Sequence, residues 1–368
     1  MIIRSIELNN FRNYENLQIS FDEGTNILFG DNAQGKTNIL EAAYLSGTTK
    51  SHKGSKDKEM IRFGTNEAHL RTMVLKNGKQ YQIDMHLKHN RSKGIAVNKI
   101  PMKKASELFG ILNIVFFSPE DLNIIKNGPS ERRHFLDAEL CQLDKIYLSD
   151  LSNYNKILNQ RNKLLKDMVY RPELSDTLPV WDMQLADTGK KIIRRREKFV
   201  KELNEIVHEI HYRISGGREE LFLSYEPSVS ADLLEQELER VKPRDLKQCQ
   251  TSVGPHRDDL LFSIAGVDIR KFGSQGQQRT SALSLKLSEI ELVRKSIHDT
   301  PVLLLDDVLS ELDSNRQNYL LNSICDTQTI ITCTGLDEFI RNRFEINKVF
   351  EVISGQVFEK GQVIERQG

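Results

Sequence analysis

Eight residues near the N-terminus, GDNAQGKT, have the types and spacing of a phosphate-binding loop. They match the pattern G-x-x-x-x-G-K-[ST] at every fixed position. The two glycines permit backbone angles that other residues resist, so successive N–H groups can point at phosphate oxygens. Lys36 would reach the β- and γ-phosphates, and the Thr37 hydroxyl would ligate Mg²⁺. The nucleotide-binding candidates here are Gly30, Asp31, Asn32, Ala33, Gln34, Gly35, Lys36 and Thr37.

The acidic partner of this loop, VLLLDD from Val302 to Asp307, lies most of the chain away. Its apolar run predicts a buried central strand that ends at Asp306. Asp306 is in the position to hold Mg²⁺, directly or through water. A carboxylate at Asp307 can orient or deprotonate an attacking water. We therefore expect an ATP site with Mg²⁺, in which Lys36 and Asp307 are the catalytic residues.

A third element, FGSQGQQR, lies about 30 residues before Asp306 and precedes an amphipathic pattern. A Ser hydroxyl and a Gly N–H at a helix N-terminus form an anion site. The element resembles the signature motif of the ABC ATPases, which caps the γ-phosphate of a nucleotide held by a second subunit. On that resemblance Ser274, Gly276 and Gln277 join the nucleotide site, and Ser310 to Asp313 (SELD) resembles the D-loop.

Strand and helix patterns surround the phosphate loop. IIRSIEL and LQISF alternate with period two, as half-buried strands do. NILFG then enters the loop, and TNILEAAYL has helical spacing after it, which is the context that the motif requires. RTMVL and YQIDMHL flank Asn77-Gly78 and predict a β-hairpin.

The middle of the chain changes to a helical period from about Ser130. One amphipathic segment runs from Leu136 to Leu165, Pro172 and Pro179 interrupt it, and a second runs from Leu185 to Ile210. Ser215-Gly216-Gly217 should end the second segment. The pattern predicts a helical hairpin or small bundle. After it, Leu283 to Val293 reads as a helix, and VLLLDD and TIITCT read as strands.

Three further motifs resemble the RecF family, in the SMC-like branch of the ABC ATPases. They are Phe11 to Tyr14 (FRNY), Arg132 to Asp137 (RRHFLD) and Gly254 to Leu260 (GPHRDDL). The resemblance implies an α/β fold, an ABC-type P-loop ATPase head split by an inserted short helical lobe. We expect residues 1–122 and 250–368 to form the two halves of the head and residues 123–249 to form the lobe.

The resemblance also implies a function. The family forms an ATP-dependent homodimer that binds DNA near junctions of single and double strands, and helps to load RecA with RecR and RecO as partners. It implies slow ATP hydrolysis used as a switch. Arg12 should lie near the phosphates, Ser274 and Gln277 should act in trans, and Asp307 occupies the place of a catalytic Glu.

Two positions depart from the pattern of the wider ATPase group. The glutamine of the Q-loop has no clear match, and Phe117 to Leu122 (FSPEDL) stands about where that loop should be. The switch histidine is replaced by Thr332-Cys333-Thr334. His256 and Arg257 could serve either the site or the fold.

Composition limits the class of protein. The 368 residues carry no net formal charge, 28% are charged and 38% are hydrophobic, which is typical of a globular chain. No signal-peptide pattern or long apolar run is evident, so no membrane association is expected. The four cysteines show no C-x-x-C spacing. They predict reduced thiols in the cytoplasm and argue against a cysteine metal site.

The charge is unevenly spread along the chain. Residues 48–104 hold 14 Lys or Arg against four acids. Within them TTKSHKGSKDKE has flexible lysines suited to DNA phosphates, and no aromatic residue interleaves them, so base stacking is not indicated. A second basic run, Lys190 to Lys201, is interpreted as a solvated helix face in preference to a DNA contact. The DNA-binding candidates are Lys50, Lys53, Lys56 and Lys58.

Three alternatives to an ATP-gated DNA clamp stay open at this stage. One is an SMC-type head of a chromosome-organising or nuclease complex, although the long coiled coil and a C-x-x-C hook are missing. The second is a transporter ATPase subunit, against which the incomplete signature motif and the missing switch histidine count. The third is an ATP-dependent scaffold that acts through protein contacts alone.

Overall fold

The computed structural model describes residues 1–324, 326–336 and 346–360, and Cys325 lies outside them. The chain divides into two compact units, the first made of Met1–Asp121 with Glu289–Gly368 and the second of Leu122–Ser288. The division into head halves 1–122 and 250–368 and a lobe 123–249 stays a prediction. The second unit extends past the predicted lobe end at residue 249 and includes residues 250–288.

The bounds of the regular elements are as follows. The strands, in chain order, are β1 (Ile2–Phe11), β2 (Tyr14–Ser20), β3 (Thr25–Phe29), β4 (Glu67–Lys76), β5 (Lys79–Lys88), β6 (Arg91–Val97), β7 (Ile100–Pro101), β8 (Ile114–Phe117), β9 (Leu221–Glu226), β10 (Asp259–Ile264), β11 (Val267–Asp268), β12 (Val302–Asp306), β13 (Thr329–Cys333), β14 (Ile346–Ile353) and β15 (Gln356–Lys360). The helices are α1 (Lys36–Thr48), α2 (Leu122–Lys126), α3 (Pro129–Leu143), α4 (Lys145–Asp167), α5 (Leu178–Ile214), α6 (Leu234–Gln248), α7 (Ile269–Phe272), α8 (Gln275–Ile297) and α9 (Ser314–Ser323).

The first unit contains an antiparallel sheet in the order β2-β1-β4-β5-β6-β7. The predicted hairpin between β4 and β5 is confirmed, with Lys76 opposite Lys79. Asn77 and Gly78 have φ angles of 49° and 72°, the positive values that a two-residue hairpin turn requires. One face of β1 is buried, as its alternating sequence predicts: Ile6 and Leu8, two residues apart, are both buried.

The second sheet of this unit has the order β15-β14-β3-β13-β12-β8, and β3, β8, β12, β13 and β14 pair in parallel. Val302 to Leu305 of β12 have no exposed surface, which explains the uninterrupted apolar run. Because carboxyl ends of parallel strands meet at one edge of a sheet, the residues after β3, β12 and β13 come together there. Ligands of open parallel sheets bind at this edge.

The second unit is built around the α4–α5 hairpin, which confirms the predicted helical lobe. The apolar run from Leu136 to Leu165, however, is two helices and not one. The chain breaks at Asp144, whose side chain accepts hydrogen bonds from the N–H groups of Ile146 and Tyr147 and caps α4. Pro179 lies in the first turn of α5, where a proline needs no N–H partner, and therefore starts the helix.

Helix α5 ends directly before Ser215-Gly216-Gly217, as the sequence predicts. Gly216 and Gly217 have positive φ angles, and Gly217 N–H donates to the Tyr212 carbonyl at 2.8 Å. A small antiparallel sheet, in the order β11-β10-β9, follows in the same unit. Among the described residues, no helix is both long and apolar enough to cross a bilayer.

Candidate nucleotide-binding site

The phosphate loop begins directly after β3 and ends at the first residue of α1. Gly30 and Gly35 have φ angles of 148° and 114°, which other residues rarely adopt. A Cβ at Gly30 would clash with the carbonyl oxygen of Val352, and one at Gly35 would clash with the side chain of Asn13. Both glycines are therefore required by conformation and by space. Asp31, Asn32 and Ala33 lie exposed between them.

Lys36 folds back across the loop that precedes it. The residue is only 5% exposed, and its ammonium donates to the carbonyls of Gly30 at 2.6 Å and Asp31 at 2.8 Å. These bonds hold the positive charge over the loop. A phosphate that enters the loop therefore meets a cation already in place.

Thr37 and Asp306 are in direct contact. The Thr37 hydroxyl donates to Oδ1 of Asp306 at 2.8 Å, and the Thr332 hydroxyl donates to the same oxygen at 2.7 Å. A hydroxyl and a carboxylate are the hard oxygen ligands that Mg²⁺ prefers beside substrate phosphates. The donor set thus fits Mg²⁺, with Thr37 and Asp306 as the residues that would hold it.

Asp307 has a strained backbone. Its φ angle of 55° lies in the left-handed region, and its N–H faces both the hydroxyl of Thr332 at 3.1 Å and the carbonyl of that residue at 3.3 Å. Burial raises the pKa of the Asp307 carboxyl, Lys36 lowers it, and Asp306 raises it further. Backbone strain of this kind persists only where surrounding contacts maintain it, and it is concentrated at functional sites.

Thr332 stands where the wider ATPase group has its switch histidine. Its hydroxyl donates to Asp306 and accepts from the N–H of Asp307, so it joins the two acidic residues. The side chain therefore holds the carboxylate of Asp306 and the backbone of Asp307. The FSPEDL segment follows β8, whose Phe117 pairs with Leu305 of β12. Ser118 N–H donates to the Asp121 carboxylate at 2.7 Å, which forms a tight turn at the same edge of the sheet.

Arg12 contacts a carboxylate instead of reaching into the phosphate loop. Its Nε and Nη2 donate to the two oxygens of Glu41, each at 2.7 Å, and its Nη1 donates to the Glu59 carbonyl at 2.6 Å. Glu41 is fully buried. Burial raises the pKa of Glu41, but the hydrogen bonds from Arg12 and Ser51 lower it more, so its pKa lies below the usual value. A role of Arg12 at the phosphates stays a prediction.

The neighbours of Arg12 do contact the loop. Asn13 Nδ2 donates to the Gln34 carbonyl at 2.9 Å, and the Tyr14 hydroxyl donates to the Gly35 carbonyl at 3.1 Å. The side chain of Gln34 also accepts from Ser354 N–H at 2.5 Å. The FRNY motif therefore supports the phosphate loop through hydrogen bonds from Asn13 and Tyr14. The sequence of the motif did not reveal this role.

His52 is a further residue that sequence reasoning missed. Its ring stacks on Phe116 with centroids 4.1 Å apart, and its buried Nδ1 has no hydrogen-bond partner among the described residues. Burial lowers its pKa to about 4, although Glu41 and Asp306 oppose the shift. The effect of Asp306 places His52 near the acidic strand end. No local pattern marks this residue, because its position depends on packing against β8.

The signature element lies in the second unit and opens α8. Ser274 N–H donates to Oε1 of Gln277 at 2.9 Å, and Gln277 N–H donates to the Ser274 hydroxyl at 3.2 Å. This reciprocal pair is a capping box, which fixes the helix start. Ser274 and Gly276 are exposed, and Gln277 also donates to Glu219 at 3.0 Å.

The SELD segment follows the acidic strand in the first unit. The Ser310 hydroxyl donates to the Asp307 carbonyl at 2.8 Å, and Asp313 caps α9. The segment is thus tied to the residue that we expect to be the catalytic carboxylate.

The two basic runs differ in their partners. Lys50, Lys53, Lys56 and Lys58 are all exposed, and their ammonium groups form no ion pair in the described part of the chain. In the second run, Lys190 pairs with Glu235 at 2.9 Å and Lys191 with Asp187 at 2.8 Å, while Arg194, Arg195 and Arg196 also pair with aspartates. The second run is therefore largely neutralised, in agreement with its interpretation as a helix face.

The other two family motifs hold the second unit together. Arg132 of RRHFLD pairs with Asp259 of GPHRDDL at 2.6 Å. His256 faces the Tyr154 hydroxyl at 2.7 Å and the Thr251 carbonyl at 3.1 Å, and Arg257 donates to the same carbonyl. Burial lowers the pKa of His256 to about 4. The sequence left open whether His256 and Arg257 serve the nucleotide site or the fold. These contacts favour a role in the fold.

Comparisons with known proteins identify the family of the chain. A family model described as the RecF/RecN/SMC N terminal domain matches residues 2–356. The DNA replication and repair protein RecF of Agathobacter rectalis is 74% identical over 97% of this chain and 99% of its own length. RecF of Lachnospira eligens is 63% identical over 97% of this chain and 99% of its own length.

Solved structures extend the comparison to the fold. A structure of the recombination mediator RecF with ATP superposes with a TM-score of 0.92 and 38% identity, over 98% of this chain and 97% of that one. An Smc head domain from Pyrococcus furiosus superposes at 0.56 with 18% identity, over 98% of this chain and 96% of that one, which shows likeness of fold alone. The predicted ATPase-head fold is confirmed, and the chain belongs to the RecF family of DNA replication and repair proteins.

Proposed function

We propose that this protein is an ATP-switched DNA clamp of recombinational repair. ATP closes a homodimer on DNA near junctions of single and double strands, and slow hydrolysis releases it. The observation that supports this most directly is the contact between Thr37 and Asp306, because it joins the phosphate loop and the acidic strand into one site. The RecF structure with ATP supports ATP as the nucleotide.

Nucleotide binding rests on groups already in place. Backbone N–H groups of the loop and the N-terminus of α1 would receive the phosphates, and Lys36 would neutralise their charge. Mg²⁺ on Thr37 and Asp306 would stabilise negative charge on the phosphate oxygens. The hydrogen bonds from Asn13 and Tyr14 stabilise the conformation of the loop.

Hydrolysis is assigned to a single carboxylate. Asp307 would orient the attacking water and accept its proton as the water oxygen bonds to the γ-phosphorus and the bond from that phosphorus to the bridging oxygen breaks, so that ADP is the leaving group. Burial raises the pKa of this group, which strengthens it as a proton acceptor. Thr332, in place of a histidine, holds the Asp306 carboxylate and the Asp307 backbone N–H but supplies no cation. The lack of a cation at the position of the switch histidine agrees with slow hydrolysis, which would set when the clamp releases DNA.

Dimerisation is assigned to the exposed start of α8. Ser274 and Gly276 present a hydroxyl and a helix N-terminus to the surroundings, and in the ABC ATPases such a motif caps the nucleotide of a second subunit. We propose that Ser274, Gly276 and Gln277 act in trans. The unpaired ammonium groups of Lys50, Lys53, Lys56 and Lys58 would contact DNA phosphates, with salt-sensitive and sequence-independent affinity.

The similar structures come from a protein described as a recombination mediator in the RecFOR pathway. We therefore propose RecR and RecO as partners and RecA loading at gaps as the outcome, in the cytoplasm where the chromosome lies. The close relationship to RecF proteins across the whole chain favours this over a transporter subunit or a chromosome-organising SMC head.

The test is DNA binding by the purified protein with and without ATP across a salt series. We expect ATP to strengthen binding and to convert monomer into dimer, and log affinity to fall linearly with log salt. An absence of any effect of ATP on dimerisation and DNA binding would contradict the proposal.

The trans arrangement has its own test. A Lys36→Met variant lacks a working phosphate loop, and a Ser274→Arg variant lacks a working signature motif, so each alone should be inactive. A mixed dimer contains one site with both parts intact. We expect mixing to restore ATP hydrolysis, up to one competent site in each mixed dimer, whereas a motif that acts within its own chain would give no recovery.

A further inference from the structure

Phe63 stands out from the other exposed apolar residues because its ring is fully exposed, at 102% of the reference value. It lies in the four-residue turn from Arg62 to Thr65, closed by Thr65 N–H on the Arg62 carbonyl at 3.1 Å. Gly64 has a φ angle of 84°, as the third position of a type II turn requires. A Cβ on Gly64 would meet no atom within 4 Å, so the space beside the ring is open.

The turn is fixed and does not fray. Arg62 N–H donates to the Asn10 carbonyl at 2.8 Å, and the Thr65 hydroxyl donates to the Arg62 carbonyl at 2.8 Å. The preceding residue, Ile61, forms a bridge with Phe11 and is 6% exposed. The backbone therefore holds an apolar ring in water by several bonds. Burying that ring against another surface would be favourable by the hydrophobic effect.

Basic and acidic residues are mixed around this segment, and two of the basic ones are without an acidic partner among the residues that the structure describes. Lys58 comes five residues earlier, within about 18 Å along even a fully extended chain. His89 N–H donates to the Asn66 carbonyl at 3.3 Å, which brings the β5–β6 turn, with Lys88 and Arg91, beside this segment. Arg62 faces Glu15 at 3.2 Å and Lys88 faces Glu67 at 3.6 Å, whereas Lys58 and Arg91 form no ion pair in the described ranges.

An exposed aromatic ring in a segment that carries unpaired cations matches one kind of ligand. Single-stranded nucleic acid combines phosphates, which the cations attract, with flat bases, which stack on aromatic side chains. Inside a duplex the faces of the bases are already covered by their neighbours. A base can leave the stack and lie on a side-chain ring without breaking a base pair only where it is unpaired, as in a single-stranded extension. A protein partner with an apolar surface would place that surface against several charges, which disfavours it.

We propose that Phe63 is a base-stacking residue, which receives an unpaired nucleobase where single-stranded DNA meets duplex. This inference rests on the proposed DNA-binding function and adds the group that recognises the junction. The lysines from Lys50 to Lys58 bind phosphates of any DNA, whereas the ring of Phe63 discriminates between a blunt duplex and one with a single-stranded extension. It also supplies the aromatic contact that is absent from the basic segment up to Glu59.

The experiment compares Phe63→Ala with the wild type on two DNAs in the presence of ATP. One DNA is a blunt duplex, and the other is the same duplex with a single-stranded tail. Loss of one base–aromatic stack weakens binding about five- to hundredfold. We expect that loss on the tailed DNA only, with blunt-duplex affinity changed by less than about twofold. Phe63→Tyr should bind like the wild type.

A spectroscopic readout tests the contact itself. With 2-aminopurine as the first unpaired base, stacking on Phe63 changes its fluorescence on binding, and Phe63→Ala should remove that change. Tyr170→Ala is the matched control, because Tyr170 is 88% exposed but lies between α4 and α5 in the other unit. It should leave both affinities unaltered. Since Phe63 packs against nothing, thermal unfolding and ATP binding should be the same in all variants.

The outcomes separate this inference from the function on which it rests. If the wild type binds DNA with ATP but Phe63→Ala binds the tailed DNA equally well, the stacking role is wrong and the ring serves a protein contact. An equal loss on both DNAs also overturns it, because the ring would then act on duplex. If the wild type shows no ATP-dependent DNA binding, the proposed function itself fails.

Discussion

The Thr37 hydroxyl donates to Oδ1 of Asp306 at 2.8 Å, although 269 positions separate the two residues in sequence. The contact exists because β3 and β12 both pair with β13, in parallel, and so end at the same edge of the sheet. It brings the two proposed Mg²⁺ ligands together at that edge. The following predictions test this site and its surroundings.

Replacing Lys36 by Met should abolish ATP binding. The ammonium holds its place through two carbonyls, and its loss leaves the phosphate charge without a buried cation. We expect affinity for a fluorescent ATP analogue to fall at least about a hundredfold, the effect of about 3 kcal/mol. Lys53→Met, which removes an exposed ammonium outside the loop, is the control. Retained binding by the Lys36 variant would show that the loop is not the nucleotide site.

Replacing Asp307 by Asn should stop hydrolysis and leave ATP binding intact. Asn tolerates the left-handed φ angle of 55° as Asp does, so the substitution adds no backbone strain. Its amide, however, cannot accept a proton from water. We expect single-turnover hydrolysis to fall about 10²–10⁴-fold and an ATP-bound dimer to accumulate in size-exclusion measurements. The exposed Asp326→Asn is the control. Normal hydrolysis by the Asp307 variant would remove the catalytic assignment.

Replacing Arg12 by Met should destabilise the first unit by about 3 kcal/mol near neutral pH, because it leaves the fully buried Glu41 without its partner. The pKa of Glu41 is lowered in the folded protein, so the pair stabilises fully above about pH 4.5 and loses its effect as the pH falls below that value. The difference in unfolding free energy between wild type and variant should therefore shrink in acid.

Urea unfolding at several pH values measures this difference. Adding Glu41→Gln to the Arg12 variant removes the uncompensated charge and should recover part of the stability at neutral pH. A loss independent of pH, without recovery in the double variant, would show that Arg12 acts by packing and not by charge.

The buried His256 should make stability depend on pH in a different range. Its folded-state pKa of about 4 lies below the unfolded value of 6.5, so the folded protein binds fewer protons between these values. Stability is complete above about pH 6.5 and falls as the pH drops towards 4, by about 2–3 kcal/mol for this residue. His256→Gln should flatten that slope in urea unfolding, whereas the exposed His134→Gln should keep it.

Replacing Lys50, Lys53, Lys56 and Lys58 by Ala should weaken DNA binding and reduce its salt dependence. Each phosphate contact contributes about 0.9 to the slope of log affinity against log salt, so four contacts contribute about 3.6. Filter binding or anisotropy across a salt series measures the slope. The double variant Lys191→Ala with Arg194→Ala removes two basic groups that are already paired with aspartates and should leave the slope unchanged. An unchanged slope in the fourfold variant would show that DNA binds at another surface of the protein.

Short-range features were predictable because few residues carry them. The phosphate loop, the hairpin at Asn77-Gly78 and the buried strand before Asp306 each follow from local backbone preference or from an apolar run. The single helix expected from Leu136 to Leu165 was wrong because Asp144 caps a new helix inside a continuous apolar pattern. Periodicity records which face is buried, and two helices that share a core can keep the same pattern across a break.

The sequence by itself determined the nucleotide chemistry and the family, since GDNAQGKT, the paired aspartates and three family motifs are local strings of residues. Only the tertiary structure decided that Thr332 joins the Asp306 carboxylate to the Asp307 backbone, that Arg12 is held by Glu41, and that Phe63 is fully exposed. These depend on sheet order and on packing between residues far apart in the chain. The free energy of such contacts is absent from any short window, because it arises only when the strands have paired and water has been excluded.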